Sequence, residues 1–157
     1  MGRPAQQEFR HAIDEHSLEG SATMTHPRKK VFYAEGGQVH KSPIPQGVIA
    51  GGFIFLSAIR GVDPKTQSIE TDDPEKQARQ VFENASAALA SAGATLADVV
   101  KVAVYLQDIN DRGAFNKAWA AYFREEPPAR FAVQVVNMGA SGDKSRILVD
   151  VTALAPA

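Results

Sequence analysis

The sequence predicts an α+β domain in which two helices pack on one face of a mixed sheet of about six strands. Two segments carry apolar residues at helical spacing, and the segments around them have the β-branched or alternating pattern of strands. In chain order these elements follow as ββ-α-β-α-ββ. Because the helices can cover only one face, the other face keeps apolar side chains, and a patch of that size usually marks an interface. We therefore expect self-association rather than a free monomer.

The composition excludes several classes of protein. A chain of 157 residues with 44% hydrophobic residues suits one globular domain. The absence of cysteine excludes a disulfide framework, a thiol nucleophile and a zinc–thiolate site. A formal charge of -1 gives no electrostatic footprint for nucleic acid. No apolar run approaches the roughly 20 residues of a membrane helix, and residues 1–30 lack the apolar core of a signal peptide. We expect a cytoplasmic protein without nucleic-acid or membrane partners.

Residues 1–23 differ from the rest of the chain, because they are polar and mixed in charge with little periodicity. The stretch from Glu8 to Leu18 can form a short helix, with Phe9 and Ile13 on one side. We interpret the segment either as an extension that docks on a neighbour or as an expression leader that ends before Met24. Residues 24–157 are expected to form the single domain.

The first half of the domain is predicted to begin with strands. Residues 31–33 form a short strand candidate, and residues 48–57 form a hairpin around the turn at Gly51-Gly52. The prolines on either side of Ile44 make the preceding loop stiff and non-helical. The first helix then begins at Asp73, an acidic cap followed by proline, and ends at Gly93. Its apolar stripe consists of Ala78, Val81, Phe82, Ala85, Ala88, Leu89 and Ala92.

The second half alternates strands and a helix. Residues 99–107 are β-branched and predict a central strand. A second helix is capped by the segment 108–111 and ends at Pro127-Pro128, after which residues 130–136 and 147–155 form two more strands. The apolar stripe of this helix consists of Phe115, Ala118, Trp119, Tyr122 and Phe123.

Arg130 is the most informative residue, because it opens a strand whose other residues are mostly apolar. A charge in such a strand is costly unless it is paired, and arginine cannot lose its proton. Its planar fork of donors fits a carboxylate through two hydrogen bonds. Either an internal acid neutralises Arg130, for example Asp150 on a neighbouring strand, or the guanidinium binds an anionic ligand.

Other catalytic chemistries find little support. The histidines do not show paired spacing typical of metal ligands, so no metal site is predicted. Ser57 has no accompanying histidine and aspartate pattern, so a catalytic triad is not predicted either. The four histidines are His11, His16, His26 and His40.

Six segments with distinctive residue order occur in the domain. They are Pro64-Lys65-Thr66, Gln77-Ala78-Arg79-Gln80, residues 98–102, residues 106–111, Pro128-Ala129-Arg130 and residues 150–155. Together they resemble the RidA/YjgF (Rid) family of small enamine/imine deaminases over about residues 31–155. The resemblance implies a chorismate-mutase-like (YjgF-like) fold and a homotrimer with active sites in the clefts between subunits.

The resemblance also implies a reaction. Family members hydrolyse 2-imino and 2-enamino acids to 2-oxo acids and ammonia without a cofactor, and the arginine that matches Arg130 binds the substrate carboxylate. By the same matching, Ser57 with Ala58, and Asn116, line the site. Holding the carboxylate fixes the imine carbon against a water, which is catalysis largely by positioning.

Three site positions depart from the best-known family members. Ile44 stands where they have tyrosine, Ala132 where they often have cysteine, and Thr152 where a glutamate orients the water. A threonine hydroxyl holds a water but is no base near neutral pH, and Asp150, one pleat away, is the alternative acid. A non-catalytic ligand-binding trimer and an aminomuconate-type enamine deaminase therefore stay open, whereas ribonuclease activity ranks low.

Overall fold

A computed structural model describes residues 26–34, 38–40, 42–138 and 144–157. The predicted extension 1–23 and its short helix lie outside the described residues. Two short 3-10 turns span Leu96–Asp98 and Ile109–Asp111. The strands and helices are β1 (Lys29–Phe32), β2 (Gly47–Ala50), β3 (Phe53–Leu56), β4 (Ile59–Arg60), α1 (Pro74–Ser91), β5 (Val99–Leu106), α2 (Arg112–Tyr122), β6 (Ala129–Gln134) and β7 (Ile147–Leu154).

The strands form one mixed sheet in the order β1-β2-β3-β7-β5-β6, and β4 also pairs with β7. The β5–β6 pair is parallel, with α2 as its crossover, and the other pairs are antiparallel. This confirms the predicted mixed sheet. The described part has seven strands rather than about six, because the two-residue β4 is too short to show a pattern in the sequence.

The start of α1 follows from its cap. The Asp73 carboxylate accepts hydrogen bonds from the backbone N–H groups of Glu75 and Lys76, and Pro74 occupies the first helical position. Gly93 ends the helix with a left-handed φ of 79°. The predicted end of α2 at the two prolines is wrong, since the helix stops at Tyr122. Residues 124–126 bend instead, which leaves the chain extended at the prolines.

Both helices cover the same face of the sheet. Their aromatic residues meet at Phe82, whose ring lies 5.0–6.0 Å from the rings of four α2-side residues. The alternate residues of β7 that face the helices are buried, as the two-residue period of a strand predicts. The four rings around Phe82 belong to Phe115, Trp119, Tyr122 and Phe123.

The opposite face of the sheet is apolar, as the sequence predicts, and no described helix covers it. Strand pairing aligns Phe53 with Leu154 and Phe55 with Thr152 on this open face. Phe53, Phe55 and Leu154 keep 40%, 46% and 46% of their surface exposed, and Phe131 keeps 44%. An apolar surface of this extent is typical of an interface. Among the described residues, no helix has the length and hydropathy needed to cross a membrane.

Candidate functional site

Arg130 lies on the helix-covered face of the edge strand β6. Its partner on β5 is Val102, which is buried beneath the helices. The Arg130 guanidinium lies over two α2 rings, 4.5 Å from the centre of Trp119 and 5.4 Å from that of Phe115. Such stacking favours arginine and restricts the plane of its donors. Arg130 is therefore oriented by the aromatic residues of α2 and not by an acid.

The alternative of an ion pair with Asp150 is excluded by the sheet. Strand β5 separates β6 from β7, and Asp150 is paired with Ala103, on the open face. Within the described residues Arg130 has no salt bridge. Partial burial, and to a smaller extent the nearby Arg112, lower the pKa of Arg130. The guanidinium stays charged at neutral pH and is uncompensated.

The acid that directly precedes Arg112 is already engaged. Asp111, just before α2, accepts two hydrogen bonds from Arg146, at 2.8 and 2.9 Å. This bidentate pair raises the pKa of Arg146. It also joins the start of α2 to the segment that enters β7, so Asp111 is unavailable to Arg130.

Asn116 and Ala132 belong to the same region as Arg130. Ala132 lies two residues along β6 on the same face, packed against the core. Asn116 is exposed on α2, one residue after Phe115 and three before Trp119. Residues three apart on a helix are neighbours. These two predicted site residues therefore lie beside the rings on which Arg130 stacks.

The other predicted residues form a second group at the end of β3. The Ser57 hydroxyl donates to the Pro45 carbonyl at 2.6 Å, and the Ser57 N–H donates to the Gln46 carbonyl at 2.9 Å. These bonds hold the loop that carries the exposed Ile44 against Ser57 and the exposed Ala58. Because its proton is engaged, the Ser57 oxygen remains available as an acceptor.

The sheet keeps the two groups apart within one chain. Strand β3 is three positions from β6 in the sheet order, which corresponds to about 14 Å. Thr152 faces the open side opposite Phe55, whereas Arg130 faces the helices. The two groups therefore do not form a single site within one described chain.

The register of β3 and β4 against β7 shows which of Thr152 and Asp150 lies closer to Ser57. Phe55 pairs with Thr152, and Ile59 pairs with Val149. Ser57 lies between these two pairs and hence beside residues 150 and 151 of β7. Asp150 is exposed on the same face as Thr152, so it is the carboxylate nearest to Ser57 along the strand.

Sequence reasoning missed two residues. Arg112 is exposed at the first position of α2. Gln46 is fully buried, and its amide nitrogen and oxygen have no hydrogen-bond partner among the residues that the structure describes. A basic residue at a helix N-terminus is destabilising, and this signal for Arg112 is visible in the sequence. Nothing in the sequence distinguishes Gln46 from an ordinary polar loop residue. In the described part, no cluster of three or more potential metal ligands occurs.

Comparisons with known proteins agree with this architecture. The family model described as endoribonuclease L-PSP matches residues 41–156. A RutC family protein from Pyrococcus horikoshii is 39% identical over 127 residues, which cover 81% of this chain and 97% of that protein. The 2-iminobutanoate/2-iminopropanoate deaminase of Salmonella typhimurium is 35% identical over 112 residues, covering 69% and 87%.

A solved structure gives the same result. The Rid-family protein YyfA from Yersinia pestis has a TM-score of 0.75 and 29% identity, covering 81% of this chain and 99% of that one. The predicted YjgF-like fold is confirmed by this match.

Proposed function

The chain belongs to the Rid family, the family of the endoribonuclease L-PSP model, and on that premise we propose that it is an enamine/imine deaminase. It hydrolyses 2-imino and 2-enamino acids to 2-oxo acids and ammonia. The observation that carries the proposal is the uncompensated guanidinium of Arg130, stacked on Trp119 and Phe115. A deaminase named for 2-imino acids is among the relatives.

Arg130 binds the substrate carboxylate. Its fork of donors forms two hydrogen bonds to a planar carboxylate, and the rings beneath it restrict the plane in which those bonds form. The carboxylate neutralises a charge that has no salt bridge among the described residues. Fixing the acid end leaves the neighbouring imine carbon at a constant position for attack.

Asp150 activates the water, and Ser57 accepts a hydrogen bond from the substrate nitrogen. Asp150 takes a proton from the water while the water oxygen bonds to the imine carbon, and the π electron pair of the carbon–nitrogen bond moves to the nitrogen. Asp150 then gives that proton to the nitrogen. The hydroxyl proton follows through Asp150 to the same nitrogen, which leaves as ammonia as the 2-oxo group forms. The strand register supports Asp150 as the base, because it places Asp150 beside Ser57. The hydroxyl of Thr152 is no base near neutral pH, and it orients the same water.

The active unit is a homotrimer with sites between subunits. Arg130 lies on a different face from Ser57 and Asp150, about 14 Å across the sheet from β3 and about 10 Å from β7, so a cleft between copies brings them together. The exposed apolar face supplies a surface for that association. Sedimentation at micromolar concentration tests this, and a monomer that turns over imines contradicts it.

The domain organisation is part of the same proposal. Residues 24–157 form the single domain, and residues 1–23 are an extension outside it. The family model begins at residue 41 and supports a domain that excludes the first residues. We place the protein in the cytoplasm, where pyridoxal-phosphate enzymes release reactive imines. Deletion of residues 1–23 is expected to leave sedimentation and turnover unchanged.

Competition with a chemical trap tests the activity. An amino acid oxidase generates 2-iminobutanoate, semicarbazide traps it, and a deaminase suppresses formation of the semicarbazone by consuming the imine. We expect suppression by the native protein and a loss of at least about a hundredfold in kcat/KM for Arg130→Ala. Arg124→Ala, which removes an exposed arginine beyond α2, is the matched control and keeps full activity.

The second candidate function is a non-catalytic ligand-binding trimer. Thr152, which stands where the best-known family members have glutamate, favours it. Saturable binding of 2-oxo acids without suppression of trapping supports this candidate and contradicts the deaminase. Turnover confined to aminomuconate-type enamines instead supports a deaminase of aromatic catabolism.

A further inference from the structure

Arg130 has a second guanidinium beside it, that of Arg112. Arg112 is the first residue of α2, three residues before Phe115 and seven before Trp119, so it lies on the helix face whose rings Arg130 covers. It is close enough to contribute to the lowered pKa of Arg130. Two like charges are therefore held near one another at the edge of the sheet.

The position of Arg112 is unfavourable for a helix. The N-terminus of α2 carries a partial positive charge, which a basic side chain destabilises, and no acidic residue occupies the first turn. Elsewhere Arg79 pairs with Glu75 and Arg146 with Asp111. Among the described residues, neither Arg112 nor Arg130 has such a partner.

A single carboxylate on Arg130 leaves the charge of Arg112 uncompensated. A ligand with two anionic groups neutralises both guanidiniums and relieves their repulsion, so it gains more from this site than a ligand with one. We propose that Arg112 binds a second anionic group of the substrate, and that the preferred imines are those whose side chain is itself acidic. This inference rests on the proposed function, in which Arg130 holds the 2-carboxylate.

Either a carboxylate or a phosphate fits the second position, because guanidinium groups bind both through paired hydrogen bonds. The test therefore uses three stable 2-oxo acids in calorimetric titrations of the full chain. They are 2-oxobutanoate with one anionic group, 2-oxoglutarate with two carboxylates, and 3-phosphohydroxypyruvate with a carboxylate and a phosphate. Each is titrated into the native protein, Arg112→Gln and Lys117→Gln.

Lys117→Gln is the matched control, since it removes the same charge from the same helix on a different face. We expect the native protein to bind at least one dianion about tenfold more tightly than 2-oxobutanoate. Arg112→Gln is expected to remove that preference, whereas Lys117→Gln retains it. The preference also weakens as salt rises, because the groups are partly exposed.

The inference is overturned if the native protein prefers neither dianion, if it binds none of the three acids, or if the preference survives in Arg112→Gln. Turnover of imines made from 2-aminobutanoate and glutamate is measured in parallel. Binding with an Arg112-dependent preference, but with no turnover of either imine, removes the deaminase and leaves the dianion site standing. Turnover of the imines without an Arg112-dependent preference keeps the deaminase and overturns the second anion site.

Discussion

Arg130 and Asp150 lie on opposite faces of the sheet, separated by β5. Arg130 is paired with Val102 beneath the helices, and Asp150 is paired with Ala103 on the open side. Neither charge neutralises the other. The cation and the acid that the proposed reaction requires are both left available, on opposite faces of the sheet.

Arg130→Lys tests whether the planar fork matters as well as the charge. Lysine keeps the charge but presents a single ammonium, so it holds a carboxylate less firmly and in no fixed plane. We expect kcat/KM for 2-iminobutanoate to fall by about ten- to a hundredfold, mainly through KM. Steady-state kinetics with the semicarbazide trap measure this, and unchanged kinetics argue against a bidentate anchor.

Asp150→Asn and Thr152→Val compare the two candidates for water activation. Removing a general base typically lowers the rate by about 10²- to 10⁴-fold, so Asp150→Asn is expected to lower kcat in that range with little change in KM. Thr152→Val is expected to cost less than tenfold, since its hydroxyl only orients the water. A reversed order in the measured kcat values assigns the water to Thr152.

Trp119→Leu removes the nearer of the two rings under Arg130. The substitution also opens the aromatic cluster, so Phe123→Leu is its control, because Phe123 contacts Trp119 and Phe82. Both variants are expected to lose about 1–3 kcal/mol of unfolding free energy. Only Trp119→Leu is expected to weaken 2-oxobutanoate binding, by about threefold or more. Denaturant unfolding and calorimetry separate the two effects.

Tyr122 is expected to titrate late. Burial, and the hydrogen bond from its hydroxyl to the Glu83 carboxylate at 2.6 Å, raise the pKa of Tyr122 from 10.0 to about 12. The folded state therefore favours the neutral phenol. Its contribution to stability is full below pH 10 and is lost as the pH rises through about 12.

The absorbance of tyrosinate at alkaline pH, taken as the difference between the native protein and Tyr122→Phe, reports this titration. Glu83→Gln is expected to lower the pKa of Tyr122, which then stays above 10.0 because burial persists. A midpoint near 10 in the native protein contradicts the expectation.

Gly61→Ala is expected to destabilise the contact between the sheet and α1. An added Cβ meets the Gln77 backbone oxygen at 2.8 Å, and that atom belongs to a helix that cannot shift alone. A loss of about 1–3 kcal/mol is expected in denaturant unfolding. Gly113→Ala in α2, where a Cβ meets nothing within 4 Å, is the control and is expected to gain about 0.5 kcal/mol. Equal effects contradict the close approach.

Local signals in the sequence were sufficient for most elements. Asp73-Pro74 and Gly93 bound α1, and Gly51-Gly52 make the hairpin turn with φ values of 60° and 82°. The predicted strand bounds were wrong where pairing with another strand determines them. Strand β4 exists because β7 is there to pair with it. Strand β6 ends at Gln134, Val135 makes one more backbone hydrogen bond to Leu106, and Val136 is 99% exposed.

The sequence by itself determined the fold class, the bare apolar face and the choice of Arg130 as the residue that needs an anionic partner. Each depends on side-chain period or charge, which the chain order displays directly. Only the tertiary structure decided that Asp150 does not neutralise Arg130, that Arg130 stacks on the rings of the helix that Arg112 begins, and that Asp150 lies beside Ser57. Strand order and register set these distances, and both arise from contacts between residues far apart in the chain.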